Sequence, residues 1–500
     1  QVNVYSLEIS PSDNDIMYCA TEGGGLFKSV DHGLYWNLVT LDEVFTAAQD
    51  IKVHPFNSDI LYVGHQDDIY KSLDGGVTWS LNFTADGTIE QFYIHKTNPS
   101  IVYAATSDGL FQTTDDGSSW TNIFDERCWD IEPHALAADT IYLSVHDGVE
   151  ERAEIYRSSD GGASWVLKDN GWYVPTDISE ASDIGCKIGV TPADPDRVYA
   201  CLIGESKADD NGWIGVYYSL NEGDLWQNPD GIDGGPYAPG SDMSTNWFVA
   251  GYSSGYHQGW YNFDLDVSHL DPDKIWIGTI WFCESGNLGA NIEYIRGTRS
   301  LEMHADIQDI EVNGDEIWVA SDGGINFSND ECWTVEIRNS GIGASTYWGF
   351  GHGWNEDTWT GGRYHNGDAV YHENFGAGNT MFMGGAETAT GYINPLDNRE
   401  CHFSDITDKR TPDALGQNSM NIANFSMYPN ESYGLLNSSE VEYDPRYSNH
   451  LYLGNEYQFY KSTDGGGTFD LLYSFPSNTR VLEFEISRAN PDIIYCLVRG

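Results

Sequence analysis

The chain is 500 residues long and sets 77 aspartates and glutamates against 24 lysines and arginines, a formal net charge of −53. A field of that sign repels nucleic acid and anionic membrane surfaces, which excludes both as partners. Aromatic residues make up 14% of the chain and run throughout it, so the acidity is not that of a disordered tail; no run of about 18 apolar residues occurs, so no membrane span is expected.

The sequence opens on Gln1, which reads as the residue left after removal of a signal peptide and implies an extracellular or cell-surface location. Short β-type runs then alternate with turn residues. A turn phrase at Ser10-Pro11 precedes the run 16–20, and the run 25–29 leads into Ser29-Val-Asp31-His-Gly33-Leu-Tyr-Trp36. The same order recurs at 61–64 before Ser72-Leu-Asp74-Gly-Gly76-Val-Thr-Trp79. It recurs at 102–105 before Thr113-Thr-Asp115-Asp-Gly117-Ser-Ser-Trp120, and at 141–143 before Ser158-Ser-Asp160-Gly-Gly162-Ala-Ser-Trp165. Two variants follow, one with Asn221 for Asp and Trp226 in place, the other with Asp464 in place and Phe469 for Trp. A degraded copy ends at Ser328-Asn-Asp330-Glu-Cys-Trp333. The first four aspartates are 43, 41 and 45 residues apart, the period of a four-stranded propeller blade.

The repeated unit is structural chemistry. Asp and Ser/Thr side chains bond nearby backbone N–H groups and hold a hairpin turn. Glycine at the fifth position permits a positive φ. The tryptophan is expected to anchor against its own blade or the next. Of the eight cysteines, Cys19, Cys201 and Cys496 sit in apolar strand contexts and read as buried thiols. Cys128, Cys186, Cys283, Cys332 and Cys401 lie in less regular segments where a bridge is open, with a pairing the sequence does not give.

The repeat resembles the Asp-box, or BNR-repeat, superfamily, which includes sialidases, the sortilin/Vps10 domain and two-propeller xyloglucanase-like glycoside hydrolases. It also includes large surface proteins of Bacteroidota exported by the type IX route, which the stretches 259–266, 304–306 and 320–325 resemble most. The segment 360–368 sits where those proteins carry a Gly-Gly-x-Gln-Asp-Asn-Gly turn, with Tyr-His here in place of Gln-Asp. The resemblance implies an all-β propeller fold: two tandem rings of about seven blades, or alternatively one ring of about ten. Residues 1–340 form the first ring and 341–500 further blades, with the last blade unfinished. A sialidase needs an arginine triad beginning near its start, and no arginine precedes Arg127.

Function is expected in the long departures from the repeat, at 203–213, 229–262, 283–303, 340–380 and 383–437. Their aromatic rings Trp247, Trp260, Tyr261 and Trp354 suit stacking against sugars or a partner protein. His304, Asp306, Arg363, His365 and Asp368 complete the candidate ligand-binding set, and Asp264 and Asp266 a candidate cation site of the hard-oxygen kind that calcium prefers. No cofactor is required. Two functions fit: a secreted or cell-surface binding protein holding a glycan, a cell-surface protein or the secretion machinery, and, alternatively, a secreted glycoside hydrolase using a loop carboxylate pair.

Overall fold

The computed structural model describes the chain apart from residues 1, 41–44, 46, 47, 148–151, 174–180, 207–212, 230–258, 260, 296–298, 300, 302, 346, 348, 349, 364, 365, 386–390, 404–407, 424 and 428–440. The candidates Trp247, Trp260 and His365 lie outside the described residues. The chain is all-β and divides into two compact units, Gln1–Ala344 and Ser345–Gly500.

The first unit is a closed ring of seven four-stranded antiparallel sheets, each built from four consecutive strands. Their inner strands are Val4–Ile9, Asp50–Val53, Ile89–Ile94, Cys128–Pro133, Ala181–Val190, Asp264–Val267 and Ile307–Asn313. Each packs against the next, and the last packs against the first. Closure is apolar as well as polar. Trp36, Phe27 and Leu7 of the first blade form one buried cluster with Trp318, Ile325 and Ile342 of the seventh, while the Trp36 N–H donates to the Ser340 carbonyl at 2.8 Å. A single ring running the length of the chain is thereby excluded.

In the second unit, inner strands Gly351–His352, Gly391–Asn394 and Val441–Tyr443 each begin a four-stranded sheet, and Arg480–Ile486 pairs with Ile494–Arg499.

Every predicted turn unit forms, with one geometry. The Ser or Thr hydroxyl donates to the third residue's carboxylate at 2.8–2.9 Å, as Ser29 does to Asp31, Ser72 to Asp74, Thr113 to Asp115 and Ser158 to Asp160. The same hydroxyl accepts the N–H of the fifth residue, and the third residue's Oδ1 accepts that of the seventh. Asn221 and Asp464 repeat the pattern. The copy at Ser328 is intact too, with Cys332 at the glycine position and φ +60°. Its anchor position holds Val335; Trp333 is instead exposed, with the Arg299 guanidinium 4.4 Å from its ring. An unforeseen copy runs from Ser285 through Asn287 and Gly289 to Ile292. Each of the seven blades therefore carries one.

Three of the tryptophan anchors hydrogen-bond to the preceding blade, while Trp79 Nε1 donates to the Gly76 carbonyl of its own turn at 2.9 Å. Trp36 Nε1 donates to the Arg338 carbonyl, Trp120 to Asn82 Oδ1 and Trp226 to the Lys168 carbonyl, at 2.8–2.9 Å. All eight cysteines are free, and Cys128, Cys186, Cys283 and Cys401 lie on strands, so no bridge forms among them.

An inner strand is also an edge strand, with unpaired N–H groups turned toward the next blade. Polar side chains of each blade accept them. Asp309 takes the Leu7 N–H at 2.6 Å, Glu8 that of Val53 at 3.1 Å, Asp50 that of Phe92 at 2.7 Å, Gln91 that of Ile131 at 3.3 Å and Asp130 that of Ile188 at 2.6 Å. Between the fifth and sixth blades Lys187 pairs with Asp264 at 3.8 Å. Asp264 and Asp266 then accept the N–H groups of Ile310 and Val312, both at 2.7 Å. The two proposed cation ligands thus serve as blade-to-blade clips.

Candidate active site

Because all blades run in the same sense, the first ring has two faces. One carries the turn units and the turns that follow the inner strands. The other carries the starts of the inner strands and the hairpins between second and third strands. The axial channel between them opens into a cavity of about 690 Å³ on the first face and one of about 620 Å³ on the second.

The first cavity is lined by the clip carboxylates. Burial pushes Asp130 up to about 6, Glu311 up to about 7 and Glu132 up to about 8, each against the pull of a lysine, and the carboxylates beside Glu132 and Glu311 add to the rise. Burial alone would lower Lys52, but Glu8 at 2.9 Å and Glu311 at 3.5 Å outweigh it and hold the ammonium charged. These side chains are spent on holding the ring together.

The second cavity is different. Tyr5, Tyr261 and Gln308 project from three inner-strand starts into it. Two hairpins of like sequence flank them, Thr21-Glu22-Gly23-Gly24 in the first blade and Ser321-Asp322-Gly323-Gly324 in the seventh. Glu22 is half-buried, and its Oε2 accepts from Asn3 Nδ2 at 2.7 Å. Asp322 is fully buried. Its carboxylate accepts from the Tyr261 hydroxyl, 3.1 and 3.0 Å from the two oxygens, and from Gln308 Nε2 at 3.0 Å. Tyr5 meets Tyr261 edge to face, with ring centroids 6.1 Å apart. Burial, then the neighbouring carboxylates Glu22 for Tyr5 and Asp322 for Tyr261, hold both phenols far above their usual range. Both are therefore hydroxyl donors at every physiological pH.

The sequence candidates fall unevenly around this cluster. Tyr261 belongs to it. Asp306 supports it: its φ is +62°, its Oδ1 accepts from Asn262 Nδ2 at 3.1 Å, and its carbonyl accepts the Asp322 N–H at 3.2 Å. His304 packs over the hairpin, where any Cβ at Gly323 would collide with its side chain. Trp354, Arg363 and Asp368 lie in the second unit. Trp354 is exposed, with the Arg488 guanidinium 4.8 Å from its ring. Arg363 is buried and donates to the Asn366 and Gly367 carbonyls, and Asp368 is fully buried in the adjacent strand. Glu22, Asp322, Tyr5 and Gln308 were missed. The available signal was an acid followed by Gly-Gly at the same hairpin of two blades.

Among the described residues His134, Asp196 and Glu222 bring ligand atoms close enough for a metal. His134 Nδ1, however, accepts the N–H groups of Leu136 and Ala137, so in the neutral ring Nε2 carries the proton and has no lone pair to offer. The group is a turn cap.

No family model and no curated protein matches the chain. Solved structures do. An ancestral GH74 enzyme is 14% identical and superposes on 99% of this chain and 73% of its own, with a TM-score of 0.67. The GH74 xyloglucanase from Xanthomonas campestris is 12% identical over 96% of this chain and 82% of its own, with a TM-score of 0.56. At these identities the likeness establishes the β-propeller fold.

Proposed function

We propose that the protein is an extracellular or cell-surface glycoside hydrolase of the Asp-box type, acting on an uncharged polysaccharide at the second face of the first ring. The observation that carries this reading is the pair of carboxylates Glu22 and Asp322 on the like hairpins of neighbouring blades, beside Tyr5 and Tyr261, with the Tyr261 hydroxyl donating to Asp322. Glu22 is the exposed member and serves as the proton donor and acceptor at the glycosidic oxygen; Asp322, wholly buried, acts through Tyr261. The fold shared with two glycan-acting enzymes favours hydrolysis over binding alone. The net charge of −53 repels uronate-bearing or sulfated chains and leaves neutral glycans as the substrate class.

The test is reducing-end release from neutral glucans, xyloglucan among them, beside an anionic polysaccharide, with calcium and with chelator. Release from neutral chains, lowered about 10²–10⁴-fold in Glu22→Gln, is expected, as for loss of a general acid–base group. Binding of a glycan with no turnover would overturn the hydrolase and return the protein to the class of surface binding modules. A requirement for calcium would restore the cation site to the account.

A further inference from the structure

The axial channel of the first ring narrows between its two cavities. The cavities are distinct, and their linings share five side chains, Tyr5, Gln49, Glu90, Lys187 and Gln308, which stand on five different blades. Each member of this waist is tied in place. Gln49 Oε1 accepts the Gln66 N–H at 2.8 Å, and Glu90 meets Arg127 at 3.4 Å. Lys187 faces Asp264 at 3.8 Å, Gln308 donates to Asp322 at 3.0 Å, and Tyr5 packs on Tyr261. The second cavity therefore has a floor of anchored side chains. Its wall is the ring itself, in which each inner strand packs on the next and the seventh blade on the first. Among the described residues that wall leaves no slot through which the middle of a polymer could lie. What enters from the mouth is an end.

The lining suits a short piece of sugar chain. A volume of about 620 Å³ is that of a small-ligand pocket, and Trp129, Tyr261 and Phe263 give it aromatic walls. Arg127 is its distinctive polar group. The guanidinium lies over the Trp129 ring, 3.6 Å from the centroid, which fixes the direction of its fork. The side chain is 38% exposed, and of its five N–H groups one reaches an acceptor among the described residues, Glu90 Oε1. The remaining donors call for oxygen acceptors. Arg127 is answered by Glu90 and Lys187 by Asp264, so those acceptors are neutral hydroxyls rather than an anion. An internal sugar has spent two positions on glycosidic bonds, whereas a terminal one keeps a further hydroxyl. A site built to hydrogen-bond a substrate hydroxyl refuses the analogue that lacks it.

We propose that the second cavity seats the end of a neutral glycan chain, with Arg127 reading the terminal hydroxyl, so that the chain is shortened from one end and not cut in its middle. Tyr261 and Gln308 both hold the Asp322 carboxylate and both line the cavity. The bond to be cleaved then lies where the cavity meets the hairpins that carry Glu22 and Asp322. Each turnover breaks one glycosidic C–O bond and consumes one water, whose hydroxyl joins the anomeric carbon and whose proton joins the leaving oxygen. Cleavage rests on the function proposed above; the seating of the chain end requires binding alone.

The experiment offers the whole protein linear neutral β-glucan oligosaccharides in three forms: free at both ends, reduced to the alditol at the reducing end, and capped by a 4,6-acetal at the other. The free form is expected to be cleaved, and one of the two blocked forms to lose about 10²-fold or more in kcat/KM, which also tells which end is seated. On polymeric xyloglucan, reducing ends should rise while viscosity holds. Arg127→Met keeps a stem on the Trp129 ring and removes the donors. It is expected to raise KM for the free form about 10- to 100-fold, the worth of a hydrogen bond to a charged group, with kcat little changed and the preference between free and blocked ends erased. Should that variant fail to fold, the comparison of blocked ends stands without it. Equal cleavage of all three forms, with viscosity falling at once, would overturn the end seat and leave the hydrolase. If nothing is cleaved, calorimetry of the same three forms decides. Binding that one blocked end abolishes keeps the seat and sinks the hydrolase, and no binding of any form sinks both.

Discussion

At the scale of single residues, the ring rests on eight-residue turns in which one buried hydroxyl does two jobs. Ser72 is almost fully buried, donates to Asp74 and accepts the Gly76 N–H at 2.9 Å. Ser72→Ala strands that N–H with no replacement for its acceptor. The expected cost is about 1–3 kcal/mol, the usual penalty for a buried unpaired group. Thr78→Ala removes only an exposed hydroxyl bond to Asp74, and is expected to stay within about 0.5 kcal/mol. Urea unfolding of the two variants measures the difference. Equal losses would mean that the turn is held by Asp74 alone. The left-handed fourth and fifth positions explain why glycine recurs there, and Cys332 at φ +60° shows that the hydroxyl–carboxylate pair can impose the same turn on a residue with a side chain.

At the scale of elements, the clip between blades is the feature that matters most. Asp50 is buried between Ser6 of the first blade and the Phe92 N–H of the third. Asp50→Ala is expected to free the Phe92 amide and raise its hydrogen-exchange rate, while Asp50→Asn, which keeps an acceptor oxygen, should raise it less. If Phe92 exchanges no faster in the alanine variant, the inner edge is guarded by packing and not by the carboxylate. This is also where reading the sequence failed. The turn units were legible because Ser/Thr-x-Asp-x-Gly-x-x-Trp needs those atoms at those positions. The copy at Ser285 escaped because Asn287 and Ile292 do the same work with different side chains. The inner strands were illegible for another reason. Asp50-Ile-Lys-Val53, Asp264-Leu-Asp-Val267 and Asp309-Ile-Glu-Val312 alternate charged with aliphatic residues, the same pattern a strand shows with one face in water. Nothing in that alternation says that the polar face lines a channel, so Asp264 and Asp266 looked like cation ligands. Tyr261 stands out in the sequence because it departs from the repeat, and Glu22 does not because it sits inside it.

At the scale of the whole molecule, two populations of carboxylate pull stability in opposite directions. Asp74, Asp115, Asp160 and Asp464 lie below the usual carboxylate range, held there chiefly by hydrogen bonds from their own turns. Their contribution is present above the unfolded value, near pH 4, and is lost as pH falls through the folded one. Asp130, Glu311 and Glu132 lie above it, at about 6, 7 and 8, because burial penalises their charged form. The fold binds protons there that the unfolded chain does not. Their contribution is full below about pH 4 and is lost as pH rises from 6 through 8. The first ring is therefore expected to be most stable between about pH 4 and 6, with the unfolding temperature declining toward pH 8. Added salt should lift the whole curve by screening the exposed part of the −53 charge, yet leave the alkaline decline in place, since buried charges are screened far less. Glu132→Gln removes the highest of the three values and should flatten the decline between pH 7 and 8. Calorimetry of the two proteins across that range decides it. A curve already flat in the unaltered protein would mean that the channel carboxylates stay charged, with Lys52 and Lys187 sufficient to hold them so.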